Sequence, residues 1–409
     1  MPEPFTRRLP LHPETDPCLP LYAVWEVTLR CDQSCHFCGT RAGRAREDEL
    51  TTDEALDVIR QLAEMGTREI ALHGGEAYLR DDFLTIVKAI NDRGMHCTMV
   101  TGGRGMTPEL ARGAKEAGVH AISVSVDGCE ATHDRLRGLH GSHAGAIKAL
   151  ENLRDAGVKV GCNTQLNQVN FRELPALAQA LSKYPIYGWQ VQLMVPMGRA
   201  ADASDLWLQP YDLLELIPCV TETRSLCDRL GIKLWPGDNV GYFGPTEHIL
   251  RRERARGACP GGCGGGIITI GLEANGDVKG CSAMATEGFV AGNVRKRTIK
   301  DMWENAPELR MTRDFKVDDL WGFCRSCYYA EVCKGGCIWT SSTLVGKRGN
   351  NPYCYHRALE LLATGKRERL TQTRAAAGLI RDRALFALSL EDAPADWVAT
   401  LPKWQPPPP

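Results

Sequence analysis

Cys31, Cys35 and Cys38 stand at spacing C-x3-C-x2-C in the stretch EVTLRCDQSCHFCGT. Thiolates are soft ligands that select iron–sulfur clusters, zinc or Cu(I). A 4Fe–4S cube ordinarily takes four cysteines. Three leave one iron open to a chelating small molecule. On spacing alone, a zinc site or three buried thiols remain alternatives. A second group lies far along the chain: Cys259, Cys263, Cys281, Cys324, Cys327, Cys333, Cys337 and Cys354. It holds enough thiols for two four-cysteine sites. The chain has 17 cysteines in all, and such clustering reads as metal binding when thiols are kept reduced. The scattered ones, Cys18, Cys97, Cys129, Cys162, Cys219 and Cys227, read by default as small buried hydrophobes.

Positioning these thiols requires a scaffold, and the chain before residue 236 has a βα rhythm. Apolar strands are predicted at 23–28, 69–72, 98–100, 121–126, 158–166 and 189–195, with a short seventh at 232–235. Amphipathic helices alternate with them, and Gly closes helix after helix. Thr51 with Glu54 forms a capping box, and Pro108 after Thr107 marks another helix start. Strands alternating with helices imply a parallel sheet with right-handed crossovers. The expected class is α/β, with six units suggesting an open partial (β/α)6 TIM-like barrel. Periodicity leaves a doubly wound sheet open. Either way, ligands sit at the C-terminal ends of the strands.

Those ends are polar. The first strand runs into the Cys31 loop, and the second ends in His73-Gly74-Gly75-Glu76, where paired glycines let backbone approach a ligand closely. The third ends in Thr101-Gly102-Gly103 and the fourth in Ser125-Val126-Asp127-Gly128, with Cys129 next and Arg137-Gly138 beyond. Asn163, Gln165 and Asn167 alternate on the fifth strand and so share one face. Gln190 and Gln192 lie on the sixth, followed by Gly198-Arg199-Ala200.

A net charge of −1 carries no footprint of a nucleic-acid binder. No apolar run reaches membrane-spanning length, and the N-terminus lacks the apolar core of a signal peptide. A cytoplasmic location without membrane attachment is expected. The Pro-rich residues 1–21 read as an arm, 22–235 as the partial barrel, and 236–258 as a bridge of loop and basic helix. The Cys- and Gly-rich stretch 259–356 reads as a small domain held together by metal. Residues 357–409 read as a helical extension, with helices at 356–364 and 370–388 and a Pro-rich tail.

The Cys31/Cys35/Cys38 loop, with Phe37 before its last cysteine, resembles the cluster loop of the radical S-adenosylmethionine (SAM) enzymes. The run Cys324-x2-Cys327-x5-Cys333-x3-Cys337-x16-Cys354, preceded by Cys263 and Cys281, resembles the SPASM domain that extends some of them. The resemblance implies three 4Fe–4S clusters: one SAM-binding, and two auxiliary clusters in the domain at 259–356. It assigns Cys259, Cys263, Cys281 and Cys337 to auxiliary cluster I, and Cys324, Cys327, Cys333 and Cys354 to auxiliary cluster II. It places Gly74, Gly75 and Glu76 at the SAM amino group, Ser125 of the strand ending in Asp127 at its ribose or methionine part, and Arg137 at its carboxylate. Asn163 is expected to face the same cofactor site. The implied chemistry is reductive cleavage of SAM to a 5′-deoxyadenosyl radical that abstracts hydrogen from a C–H bond.

SPASM relatives mostly modify peptides. The expected function is therefore maturation of a ribosomally made precursor peptide through a crosslink, ring or related oxidation. Its partners would be that peptide, a separate leader-binding protein, and an electron donor such as flavodoxin or ferredoxin. A small-molecule or haem-modifying enzyme is the alternative. Sulfatase-type maturation is disfavoured because Ser282 stands where those relatives carry an acid. Cys129 is a candidate hydrogen-atom donor to a substrate radical. Glu273 and Asp277 are candidate bases in a stretch that also reads as an ordinary surface turn.

Overall fold

The computed structural model describes residues 18–251 and 262–402. Seven parallel strands follow one another across a sheet: β1 (Tyr22–Thr28), β2 (Glu69–Gly74), β3 (His96–Thr101), β4 (Ala121–Ser125), β5 (Lys159–Leu166), β6 (Gly188–Leu193) and β7 (Leu234–Pro236). Each expected strand is present, the short seventh included. Helices α1 (Thr52–Glu64), α2 (Phe83–Asp92), α3 (Pro108–Glu116), α4 (Glu130–Arg137), α5 (Ser142–Asp155), α6 (Leu174–Leu181) and α7 (Leu213–Leu230) connect or follow them.

Helix α1 shows why the rhythm works. Thr51 and Glu54 close the capping box, with Glu54 N donating to Thr51 Oγ1 at 3.3 Å and Thr51 N to Glu54 Oε2 at 2.8 Å. Ala55, Val58, Ile59 and Leu62 then fall on one buried face. That face packs with Trp25, Leu72, Met99, Ile122 and Trp189 on one side of the sheet. The register puts Glu26 beside His73, Ser125 beside Asn163, and Asn163 beside Gln190, on the other side. A polar inner face backed by an apolar outer one is what a ligand-holding sheet requires.

The sheet does not stop at β1. Strand β8 (Thr269–Leu272) pairs in parallel with its free edge, and β9 (Asp277–Lys279) and β10 (Gly292–Asn293) follow antiparallel. The Cys-rich region is therefore built onto the barrel sheet rather than beside it. The expected bridging helix is a single turn, Glu247–Leu250, within the described residues. Residues 252–261, Cys259 among them, lie outside the described residues, as do 1–17 and the Pro-rich 403–409. No described helix is long and apolar enough to cross a membrane.

The C-terminal extension corrects the expectation. Helix Tyr355–Ala363 forms, but the predicted helix at 370–388 is instead an antiparallel hairpin of β11 (Lys366–Arg374) and β12 (Leu385–Asp392). Alternate residues share one face of a strand, so Arg367 and Arg369 both reach Glu391 across the hairpin. Leu370 and Phe386 are buried, and Phe386 packs edge-on against Trp207 at 5.0 Å. Cross-strand ion pairs and these apolar anchors outweigh the local helical preference.

Candidate active site and cysteine clusters

The Cys31 loop leaves β1 at Thr28 and returns at Gly43, where Cys31 N donates to Gly43 O at 2.9 Å and Gly43 N to Leu29 O at 2.8 Å. Cys35 is buried, and Cys31 and Cys38 are half-buried. Burial pushes the Cys31 thiol up to about 12, with Glu76, Cys35 and Cys38 adding to the rise. Burial raises the Cys35 thiol as well, and the positive charge of a bound iron–sulfur group would favour the thiolate forms. Arg199 fastens the loop from β6: its Nε donates to Cys35 O at 2.8 Å, its Nη1 to Ala42 O at 2.9 Å and its backbone N to Cys38 O at 2.9 Å. The neighbouring Gly198 has φ +58°, and a Cβ there would lie 2.4 Å from Gly39 O. The Gly-Arg-Ala motif is visible in sequence; its target is not.

Gly74 and Gly75 also meet the chain's own backbone. A Cβ on Gly74 would lie 2.1 Å from Thr28 O, and one on Gly75 would lie 2.1 Å from Arg30 O and 2.8 Å from Cys31 Cβ. The close approach expected toward a ligand is thus made to the cluster loop, which these glycines seat. Glu76 is buried, accepting from Thr101 Oγ1 at 2.5 Å and from Gly102 N at 2.7 Å. Burial holds its carboxyl up at about 7 despite both bonds, with Asp32 adding. Glu76, Asp32 and Cys31 present their donor atoms within 4.8 Å of one another.

Beyond β4, Arg137 is buried against Asp127. Its Nε donates to Asp127 Oδ2 at 2.9 Å, its Nη2 reaches the same oxygen, and its Nη1 lies 3.5 Å from Cys35 Sγ. The guanidinium fork assigned by resemblance to the SAM carboxylate is engaged by Asp127 here, with one nitrogen facing the cluster loop. Asp127 Oδ1 accepts from Gln165 N at 2.8 Å, and its backbone N donates to His133 Nδ1 at 3.0 Å. Ser125 and Asn163 are half-buried partners on the inner face. Cys129 is exposed at the N-cap of α4, its N–H donating to Glu173 Oε2 at 2.8 Å, so its anchor is Glu173 and not the cluster loop.

His133 must be neutral to accept that N–H. Burial holds its pKa down to about 4, against the pull of Asp127. The unfolded chain takes the proton first, near pH 6.5. The stabilisation is therefore present above pH 6.5 and lost as pH falls through 4, to a limit of about 3 kcal/mol. Urea midpoints measured from pH 7 to 4.5 should fall more steeply in the native chain than in His133→Asn, which keeps an acceptor without the charge. Parallel curves would show that this ring does not govern the acid limb.

The later cysteines gather into two groups, and every cysteine among the described residues is a free thiol. Cys337 is pushed up to about 12 by burial, with Cys263 and Cys281 adding, which marks these three as close neighbours. Cys259, the fourth member by resemblance, lies outside the described residues. Cys333 is raised by burial and then by Cys354, Cys324 and Cys327. Beside this second group Tyr329 stacks on Phe243 at 4.2 Å. Glu273, expected to serve as a base or to sit in a surface turn, is fully buried and ion-paired with Lys279 at 2.8 Å, while Asp277 binds Asn275 and Asn293 in the turn itself.

Residues 25–180 match the Radical SAM superfamily, and residues 263–328 match SPASM, described as an iron–sulfur cluster-binding domain. The chain belongs to the radical SAM enzymes with a SPASM domain. This radical SAM/SPASM protein is 29% identical over 349 residues to an AdoMet-dependent heme synthase of Methanosarcina barkeri, covering 83% of this chain and 97% of that protein. It is 28% identical over 324 residues to the mycofactocin maturase MftC of Mycolicibacterium smegmatis, covering 78% of each chain. Among solved structures, Streptococcus suis SuiB bound to S-adenosylmethionine superposes with TM-score 0.63 at 17% identity, covering 79% of this chain and 74% of SuiB. Native anSMEcpe with bound AdoMet gives TM-score 0.66 at 16% identity, covering 83% of this chain and 95% of that one. These two likenesses show the fold. The family accounts for SAM and iron–sulfur clusters as the radical SAM/SPASM protein's cofactors.

Proposed function

We propose that this radical SAM/SPASM enzyme matures a ribosomally made precursor peptide, forming a crosslink, ring or related oxidation at an unactivated C–H bond. The observation that carries the reading is a three-thiol loop at the end of β1 together with two further thiol groups in a region whose strands β8, β9 and β10 continue the barrel sheet. Three clusters are the natural filling: one at Cys31, Cys35 and Cys38, one at Cys259, Cys263, Cys281 and Cys337, and one at Cys324, Cys327, Cys333 and Cys354. When bound, SAM and its cluster supply the one-electron chemistry that activates the C–H bond. Glu76 meets the SAM amino group, Ser125 and Asn163 bind its middle, and Arg137 holds the cluster loop through Cys35. A flavodoxin- or ferredoxin-type protein delivers the electron, and a separate protein presents the leader.

The inner face favours a peptide over a porphyrin. Asn163, Gln165, Gln190 and Gln192 offer paired amide donors and acceptors that match peptide groups, whereas a flat macrocycle calls for apolar walls. The heme synthase relatives keep the porphyrin reading as the alternative. Ser282 supplies no acid, which speaks against sulfatase-type maturation. Co-expression with the short peptides encoded beside the gene tests the proposal. A peptide that loses hydrogens, detected as a mass decrease only when Cys31, Cys35 and Cys38 are intact, is the expected result. Unchanged peptides together with turnover of an iron porphyrin would transfer the assignment to the alternative.

A further inference from the structure

The turn joining β11 to β12 reaches back between two cysteine groups. Its Arg381 is 2% exposed and has a left-handed backbone, φ 53°. Its Nη1 donates to the carbonyl of Ser282, the residue after Cys281, and its Nη2 to Glu26 Oε2 on β1. Its Nε lies 3.6 Å from Glu273 Oε1. The next residue grips the other side: Asp382 Oδ1 accepts from Arg41 Nε at 3.0 Å, and Asp382 O accepts from Gly198 N at 2.8 Å. Arg41 lies just past Cys38, and Gly198 packs on the carbonyls of Cys38 and Gly39. One hairpin tip is thus tied to the SAM-type loop and to the Cys281 segment together.

We propose that Arg381 is a positioning residue that joins the SAM-cluster loop to auxiliary cluster I and, by its fixed charge, raises the reduction potential of both clusters. Reduction adds negative charge to a cluster, so a nearby buried cation stabilises the reduced form. The guanidinium meets the carbonyl one residue past Cys281, and Lys279, two residues before Cys281, is ion-paired with the same Glu273. The segment of Cys354 has Arg357 as its buried cation instead, with Nη1 donating to Asn350 Oδ1 at 2.6 Å and to Asn351 O at 3.2 Å. Auxiliary cluster II is therefore an internal reference. The planar fork matters as well as the charge, because the Ser282 carbonyl and the Glu26 carboxylate are met by different nitrogens of one guanidinium.

The test uses the full chain reconstituted with its clusters, and anaerobic redox titration followed by electron paramagnetic resonance, with no substrate present. Its failure is thus separable from failure of the peptide reading. In Arg381→Gln the reduced-to-oxidised ratio at a fixed potential should fall about tenfold for the SAM cluster and auxiliary cluster I, the scale of one unit charge at about 10 Å in a medium of effective dielectric about 20. Auxiliary cluster II should titrate unchanged, and Arg381→Lys should recover most of the loss. Glu26→Gln, which removes the opposing charge, should move the same two clusters the other way. Native potentials in a fully iron-loaded Arg381→Gln protein would overturn the proposal, as would an equal shift of all three clusters. Should Arg381→Gln fail to hold its clusters, unchanged potentials in Glu26→Gln would overturn it alone.

Discussion

Arg137→Met is expected to lower SAM cleavage by roughly 10²-fold or more, the cost of removing a preorganised charged donor from an active site. It should also cost about 3–5 kcal/mol of stability, because Asp127 is left buried without its partner. The two effects can be separated. Pairing the change with Asp127→Leu removes the orphaned carboxylate and should restore most of the stability while leaving SAM cleavage low. The stability part is read by urea unfolding and the chemical part by 5′-deoxyadenosine formed without substrate. Recovery of both in the double variant would mean that Arg137 serves only to hold Asp127. Loss of both in each variant would place the whole effect on folding of the β4–α4 turn.

Gly75→Ala should empty the Cys31 site. The added methyl carbon would lie 2.1 Å from Arg30 O and 2.6 Å from Arg30 C, so the loop bearing Cys31 must move. Displacing reacting groups by about 1 Å costs on the order of 10² in rate. Iron content should fall by the share of one cluster, and SAM cleavage with it. Gly66→Ala is the comparison. Gly66 follows α1 with φ +82° and has open space around it, so its replacement carries only a backbone cost near 1 kcal/mol. A Gly75→Ala protein with full iron and native SAM cleavage would show that the loop is not seated by this contact.

The hairpin and the buried charges mark where sequence reading ended. The stretch 370–388 has apolar residues at spacings compatible with a helix, and only its pairing partner makes it a strand. Glu273 sits in Glu-Ala-Asn-Gly-Asp, whose composition reads as an exposed turn. Its burial follows from Lys279, Arg46 and Arg381 converging on it, and Arg381 comes from more than a hundred residues away. Arg199 could be singled out as part of a motif, but its three bonds into the Cys31 loop depend on β6 lying near that loop.

By itself, the sequence determined the grouping of the three thiols and the scaffold that carries them. Cys31, Cys35 and Cys38 share one short loop, so their spacing is already their geometry, and the βα rhythm is written in helix caps and strand patterns a few residues long. The positions of Glu76, Ser125 and Asp127 near the ends of β2 and β4, and of Asn163 on β5, were legible for the same reason: the strands follow one another in sequence order across the sheet. Tertiary structure decided what surrounds them. Whether Arg137 meets Asp127, whether two glycines face a ligand or a loop, and which cation stands between Cys38 and Cys281 are settled by contacts between distant segments. No local pattern encodes such contacts, because a buried charge is stable only when a partner from elsewhere in the chain arrives beside it.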